Sequence, residues 1–576
     1  MKILIIGGVA GGASAAARLR RLDENAEIIL FERGGYISFA NCGLPYYIGG
    51  AIRDKEALLL QTPERFNARF NVDVRIHSEV TVIDKDAKNV TVRNLSTGAF
   101  YVERYDKLIL SPGAEPFVPF PIESERVFTL RNMSDTFKIK QFITAEKPQS
   151  AVVVGGGYIG VEMAENLCEA GLDVTIVEMA DQVIAPLDYD MACDLHLHMM
   201  QKGVKLMLSE VVQNVTAEER SLVLRLGSDR MNQGQRLLRT DMLITAVGVR
   251  PESSLAKDAG LDVNQRGGIL VDQYMRTSDE NIYAVGDAVE VADFVTGQKS
   301  LIPLAGPANK QGRIAADNIC GRLSQYKGTQ GSAILKVFDM TAASTGINEK
   351  TARRLGLNYD KSYTYSASHA GYYPGASSMS VKIVYEKDSG KILGGQIVGF
   401  EGVDKRCDVL ATAIRAGMTA ADLTGLELCY APPYSSAKDP VNMAGYVIEN
   451  LLTGTLKNFH WHDVDTLPRD GSVILLDIRT PFEYRNGHIE GFINIPLDEL
   501  RGRLSELDKT KIIYVTCQVG LRGYIGARIL EQRGFDVYNL SGGYRLYQSI
   551  QAQMAETEGS LMPESKMALA REMSSL

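Results

Sequence analysis

Two glycine-rich turns, about 150 residues apart, fix most of what this chain can fold into. Each lies between an apolar strand and a helix of small residues. The first runs from a strand over 3–6 through Gly7-Gly8-Val9-Ala10-Gly11-Gly12 into a helix bearing Ser14, Arg18 and Arg21. A second strand, 27–30, leads to Glu32 and Arg33. Glycine permits the tight turn and lets backbone approach a pyrophosphate, whose charge the helix N-terminus holds. Glu32, 20 residues past Gly12, is placed to bond ribose hydroxyls. Val9 occupies the motif's usual middle glycine, so the order of strand, turn, helix, strand and acid identifies the site. Its expected contacts are Gly7, Ala10, Gly11, Gly12, Glu32 and Arg33.

The second turn is complete. A strand over 151–154 enters Gly155-Gly156-Gly157-Tyr158-Ile159-Gly160, a helix follows, and a strand over 173–177 ends at Glu178. Gly155, Gly157, Tyr158, Ile159, Gly160 and Glu178 are the expected contacts. A carboxylate at Glu178 repels a 2′-phosphate and no arginine follows it, so NADH is expected over NADPH. Two such units point to one bound flavin and one visiting nicotinamide. Ser111 sits in a short exit turn of the first unit. Gly286-Asp287 ends a later strand, where an acid holds the ribityl chain of FAD.

Cys42 stands in Ser38-Phe39-Ala40-Asn41-Cys42-Gly43-Leu44-Pro45, just after the first unit. The seven cysteines are Cys42, Cys168, Cys193, Cys320, Cys407, Cys429 and Cys517, and no two lie within five residues of each other. A local dithiol is therefore missing. A redox-active Cys42 must be oxidised to a sulfenic acid or to a mixed disulfide with an outside thiol. Nothing basic flanks it, so its thiolate is expected to draw on a helix N-terminus and the flavin.

With 576 residues the chain is expected to hold three or four domains. A net charge of −8 argues against nucleic acid and anionic membrane as partners. The N-terminal apolar run reads as a strand, and no apolar stretch is long enough to span a membrane. Scattered cysteines suit a reducing compartment, so a cytoplasmic location is expected. His196 and His198 are two apart on an expected helix, do not face one another, and read as surface histidines; no metal site is expected.

The order of these motifs resembles the pyridine nucleotide-disulfide oxidoreductases over residues 1–445. The single-cysteine sequence around Cys42 is similar to coenzyme A-disulfide reductases and their relatives, the NADH oxidases and peroxidases. The resemblance implies a homodimer, FAD and NADH as cofactors, and coenzyme A as substrate or bound cofactor. It assigns coenzyme A contacts to Ser14, Arg18, Arg21, Ser38, Asn41 and Lys438. It also implies that Tyr430, with Tyr372 as companion, reaches the partner subunit's active site. Where dithiol members carry a histidine, the stretch from Leu428 to Lys438 has none, so a tyrosine must take any proton-handling role.

Beyond a connector over 453–465, a new α/β pattern begins. A strand over 473–476 runs into Asp477-Ile478-Arg479, and a strand over 512–515 into Thr516-Cys517-Gln518-Val519-Gly520-Leu521-Arg522-Gly523. Residues 466–552 resemble a single-domain rhodanese. A cysteine at a strand's end, in a loop entering a helix, sits where backbone N–H groups can ring a persulfide sulfur. Arg522 is expected to hold an anionic donor or support the loop, and His488 to be structural.

The expected architecture is α/β. Residues 1–110 and 246–325 form the FAD domain and 111–245 the NADH domain, both Rossmann-like. Residues 326–452 form an α+β dimerisation domain, 453–465 a flexible linker, 466–552 the rhodanese domain, and 553–576 a frayed tail. The expected function is NADH-driven, FAD-dependent reduction of coenzyme A disulfide, coenzyme A persulfide or polysulfide at Cys42, with Cys517 carrying sulfane sulfur. Two rivals stand beside it: an NADH oxidase or peroxidase cycling a Cys42 sulfenic acid, and a sulfur-relay binding protein.

Overall fold

The computed structural model describes residues 1–120, 122–227 and 236–557. The chain divides into two compact units. One comprises Met1–Ala180 with Gly203–Gly331, the other Asp181–Lys202 with the chain from Ser332 on.

The first unit holds two five-stranded parallel sheets. One runs in the order Ile282–Ala284, Lys107–Leu110, Lys2–Ile6, Glu27–Phe31, Asp73–Arg75. The other runs Lys205–Leu208, Asp173–Glu178, Ser150–Val154, Met242–Thr245, Val127–Phe128. Their central strands are unbroken apolar runs, as a sheet covered on both faces requires. Ile3, Leu4, Ile5, Leu30 and Leu108 are fully buried. In each sheet a reversal of strand order lies beside the first strand, whose glycine turn leads to a helix: Ala10–Leu22 after the first, Tyr158–Glu169 after the second. An antiparallel three-stranded ribbon accompanies each sheet.

In the second unit a five-stranded antiparallel sheet runs Ala333–Val337, Met340–Gly346, Ile392–Gly399, Ser378–Glu386, Tyr359–Ala367. Helices Val403–Ala416 and Pro440–Leu452 pack against it. A parallel sheet of five short strands follows, in the order Asn458–Phe459, Val537–Leu540, Ile513–Thr516, Ile474–Asp477, Ile493–Asn494.

Four expectations are corrected. The connector is not flexible: Asn458 and Phe459 pair with Asn539 and Leu540 as a strand of the last sheet. Trp461–Thr466 then forms a tight helical turn fixed to the preceding domain. Trp461 Nε1 donates to Asp190 at 3.4 Å, and His462 Nε2 lies 3.2 Å from Lys361 Nζ. Residues 181–202, expected in the NADH domain, belong to the second compact unit. His196 and His198 are buried, not on the surface. Val183 N–H donates to His196 Nε2 at 3.1 Å, and burial pushes that imidazole down to about 3. His198 pairs with Asp339 at 2.9 Å. Finally, residues 553–557 of the expected tail continue the last helix, Gly543–Thr557; residues 558–576 lie outside the described residues.

A buried charge cluster anchors this unit. Lys382 Nζ, with no exposed surface, contacts Asp188 at 3.0 Å, Asp190 at 2.9 Å and Glu349 at 3.0 Å. Lys361 bonds Glu349 at 2.5 Å, and Tyr363 donates to Asp190 at 2.5 Å. Lys361 and Asp190 are also the partners of His462 and Trp461, so the cluster ties the antiparallel sheet to the start of the last domain.

Candidate active sites

The glycine turns are built for close approach. Gly7 has φ +96°, and a Cβ there would meet Ser111 O at 2.1 Å; Gly155 has φ +105°, and a Cβ would meet Ala246 O at 2.4 Å. Only glycine fits such positions. Gly157, by contrast, faces open space. Glu32 Oε2 accepts from Gly8 N–H at 2.9 Å, and Glu178 Oε2 from Gly156 N–H at 2.5 Å, so each acid sits over its turn. Gly286 N–H donates to Gln311 Oε1 at 2.7 Å. Burial pushes the half-buried Asp287 carboxyl above its ordinary value. Two cradles that side chains would fill, each with an acid at the ribose position, fit FAD and a nicotinamide dinucleotide. The Arg33 guanidinium is paired with Glu252 at 2.7 Å.

Cys42 is exposed, in a helical turn Asn41–Gly43 that leads into helix Leu44–Gly49. Ser38, with φ +44°, turns the chain into this loop. Two backbone bonds hold that left-handed residue: Ser38 N–H to Gly8 O at 2.8 Å, and Leu60 N–H to Ser38 O at 3.1 Å. The protein packed around the sulfur, together with the Glu162 and Asp287 carboxylates, pushes the Cys42 thiol above its ordinary value. Helix Leu44–Gly49 begins two residues after Cys42.

Ser14, Arg18, Arg21 and Ser38 line one cavity of about 360 Å³. Asn309 and Arg313, one turn apart on helix Ala305–Ile319, complete it. Sequence reasoning missed both, because nothing near them signals the cavity. Within it, Ser14 Oγ donates to Asn309, and Arg18 is paired with Asp317 at 2.7 Å. Arg21 and Asn41 are exposed.

In the second unit the hydroxyls of Tyr372 and Tyr430 bond at 2.8 Å, while Tyr373 packs edge-on against His369. A cavity of about 500 Å³ beside Tyr430 includes His369, Lys405 and Cys429 in its lining. The loop between Tyr430 and Asp439 is pinned from below. Buried Arg406 donates to Ser435 Oγ at 3.1 Å, Asp439 Oδ2 at 3.0 Å and Ser368 O at 2.9 Å. Lys438 is left exposed.

Cys517 directly follows strand Ile513–Thr516 and is almost fully buried. Gly520 N–H donates to its Sγ at 3.1 Å. Burial pushes the thiol up, against the N–H groups of Gly523, Val519 and Gly520 and the charge of Arg522, which favour thiolate. Arg522 makes two bonds to Glu483, which Thr480 N–H and Oγ1 also contact at 2.9 and 2.8 Å. Arg522 and these bonds hold the Glu483 carboxyl down at about 2. His488 stacks on Tyr484, with centroids 3.9 Å apart. Among the described residues, no group of three His, Cys, Asp or Glu could hold a metal ion, and no helix is long and apolar enough to cross a membrane.

Comparison with known proteins matches residues 1–312 to the pyridine nucleotide-disulphide oxidoreductase family. Residues 332–440 match the dimerisation domain of the same family, and 461–550 the rhodanese-like domain. A coenzyme A disulfide reductase of Staphylococcus epidermidis is 38% identical over 446 residues, 77% of this chain and 99% of that protein. The crystal structure of reduced CoADR-RHD from Bacillus anthracis is 53% identical, with a TM-score of 0.93 over 96% of this chain and 98% of that one. An NAD-dependent persulfide reductase from A. fulgidus is 38% identical, with a TM-score of 0.88 over 95% of this chain and 100% of that one.

Proposed function

The chain belongs to the pyridine nucleotide-disulphide oxidoreductase family, as an oxidoreductase of the coenzyme A disulfide reductase and rhodanese fusion type, and from that premise we propose that it reduces coenzyme A disulfide, coenzyme A persulfide or polysulfide with NADH. The observation that carries this reading is Cys42: exposed, with no other cysteine within five residues of it, on a loop that Ser38 N–H ties to Gly8 O of the first glycine turn. Its thiolate attacks the disulfide or persulfide, one sulfur stays on Cys42, and the other leaves as thiolate or sulfide. Gly7, Ala10, Gly11, Gly12, Glu32, Ser111, Gly286 and Asp287 would hold FAD, which when bound would supply the two electrons, taken from NADH, that reduce the Cys42-bound sulfur. Ser14, Arg18, Arg21, Ser38, Asn41 and Lys438 hold coenzyme A, with Asn309 and Arg313 added from the cavity wall. Tyr372 and Tyr430, whose hydroxyls share a hydrogen bond, donate the proton to the leaving sulfur. Cys517 carries sulfane sulfur.

The test is anaerobic NADH oxidation with coenzyme A disulfide. Two coenzyme A thiols per NADH are expected. NADH consumption that requires oxygen and releases no thiol would instead favour the oxidase or peroxidase reading.

Two further results are expected. Glu178 lies over the second turn, where a 2′-phosphate would meet its charge. kcat/KM for NADH should therefore exceed that for NADPH by at least about tenfold, since a like-charge contact costs more than ~1.4 kcal/mol; equal values would remove this role from Glu178. Among the described residues the second unit also exposes five tyrosines: Tyr372 at 76%, Tyr434 at 71%, Tyr430 at 48%, Tyr373 at 44% and Tyr446 at 37%. So many exposed aromatics on one domain mark an interface. Sedimentation at assay concentration should give a homodimer. An active monomer would contradict the reading of Tyr430 and Tyr372 as residues that act in the partner's site.

A further inference from the structure

The following rests on the reading of Cys517 as sulfur carrier and concerns which donors can load it. Three arginines are tied to the Cys517 loop, and each is engaged. Arg522 makes two bonds to Glu483. Arg479, only 2% exposed, makes three bonds to Asp477 and one each to Gly487 O and Gln518 Oε1. Arg545 lies over the Tyr365 ring and donates to Ser378 Oγ at 3.2 Å. Beside these paired charges the loop and its neighbours also show apolar side chains to solvent. Leu521 is 58% exposed and Ile525 39%, one turn apart on helix Leu521–Glu531. Phe482, beside Glu483, is 66% exposed.

Holding a small dianion such as thiosulfate needs a cation free to make charge-assisted bonds. An organic persulfide makes a weaker demand. Its single charge sits on the terminal sulfur, which moves into the ring of backbone N–H groups, and its carbon arm suits an apolar rim. We propose that Glu483, by holding Arg522, closes the Cys517 loop to small sulfur dianions such as thiosulfate and leaves it to organic persulfides with an aliphatic arm.

In the favoured transfer, the Cys517 thiolate attacks the terminal sulfur of R–S–S⁻. The new Cys517–S bond forms as the old S–S bond breaks, giving Cys517–S–S⁻ and R–S⁻. No electrons enter or leave. The same attack on thiosulfate would release sulfite. Glu483 touches neither donor; it acts through Arg522 and is a positioning residue.

Glu483→Gln tests this cleanly, because glutamine at the third helical position still completes the capping box with Thr480 while removing the charge. Transfer to cyanide is measured with pantetheine persulfide and with thiosulfate. In the unaltered protein, kcat/KM for pantetheine persulfide should exceed that for thiosulfate by at least about 100-fold. In Glu483→Gln the ratio of thiosulfate to pantetheine persulfide should rise at least about tenfold, as Arg522 becomes free to bind the dianion. Glu483→Asp keeps the charge and should keep the discrimination. Equal use of both donors by the unaltered protein overturns the proposal, and that comparison needs no variant to fold. An unchanged ratio in a Glu483→Gln protein with unaltered Tm overturns it too. Transfer from neither donor has a different meaning: the carrier role of Cys517 itself falls.

Discussion

Cys42→Ser is expected to lower NADH-driven reduction of coenzyme A disulfide and polysulfide on the order of 1000-fold or more, the loss typical of a missing nucleophile. Serine cannot hold the sulfur that Cys42 would carry between attack and reduction. No other thiol of the first unit is placed to substitute. Cys168 and Cys320 are half-buried, and burial pushes Cys168 up to about 11 and raises Cys320. FAD content should be unchanged, since Cys42 is not among the residues that form either glycine cradle. Normal turnover by Cys42→Ser, with the flavin bound, would leave the proposed chemistry without its nucleophile.

The largest expected loss of stability is at Lys382. Lys382→Met keeps the length of the side chain but leaves Asp188, Asp190 and Glu349 without their shared cation, a change that costs roughly 3–5 kcal/mol at neutral pH. The pH dependence has a definite sign. In the unaltered protein, Lys382 and Lys361 hold the Glu349 carboxyl well below its ordinary value of 4.5, and Lys382 lowers Asp190 as well. That contribution is present in full above about pH 5 and declines as pH falls below it. Without Lys382, the same buried carboxyls gain by protonation on folding. The deficit of Lys382→Met, read from urea midpoints, should therefore shrink between pH 7 and pH 4. A deficit that stays constant or grows would show that the cluster is not held by charge.

Local backbone geometry explains what was legible in the sequence. The turns at Gly7 and Gly155 demand positive φ, and Glu32 directly follows the next strand while Glu178 ends it, so a short window of sequence carries each site. The loop from Cys517 is equally local. Contacts made across long separations were not legible. Glu483 is 39 residues from Arg522, and Asn309 is 295 from Ser14. The two-residue strand Asn458–Phe459 is too short to show a period, so it read as connector. His196 and His198 were misplaced for a different reason. Their helix, Tyr189–Gln201, buries Met191, Ala192, Leu195 and Met199 on one face, and His196 and His198 lie at the two edges of that face, where Val183 N–H and Asp339 meet them.

Sulfide release under anaerobic conditions tests the proposed function most directly. Coenzyme A persulfide and NADH are mixed with the purified protein, and sulfide, coenzyme A thiol and NAD⁺ are counted together. One sulfide and one thiol for each NADH oxidised is the expected result, because two electrons break one S–S bond. NADH consumed without sulfide, or only after oxygen is admitted, would contradict a sulfur reductase built on Cys42.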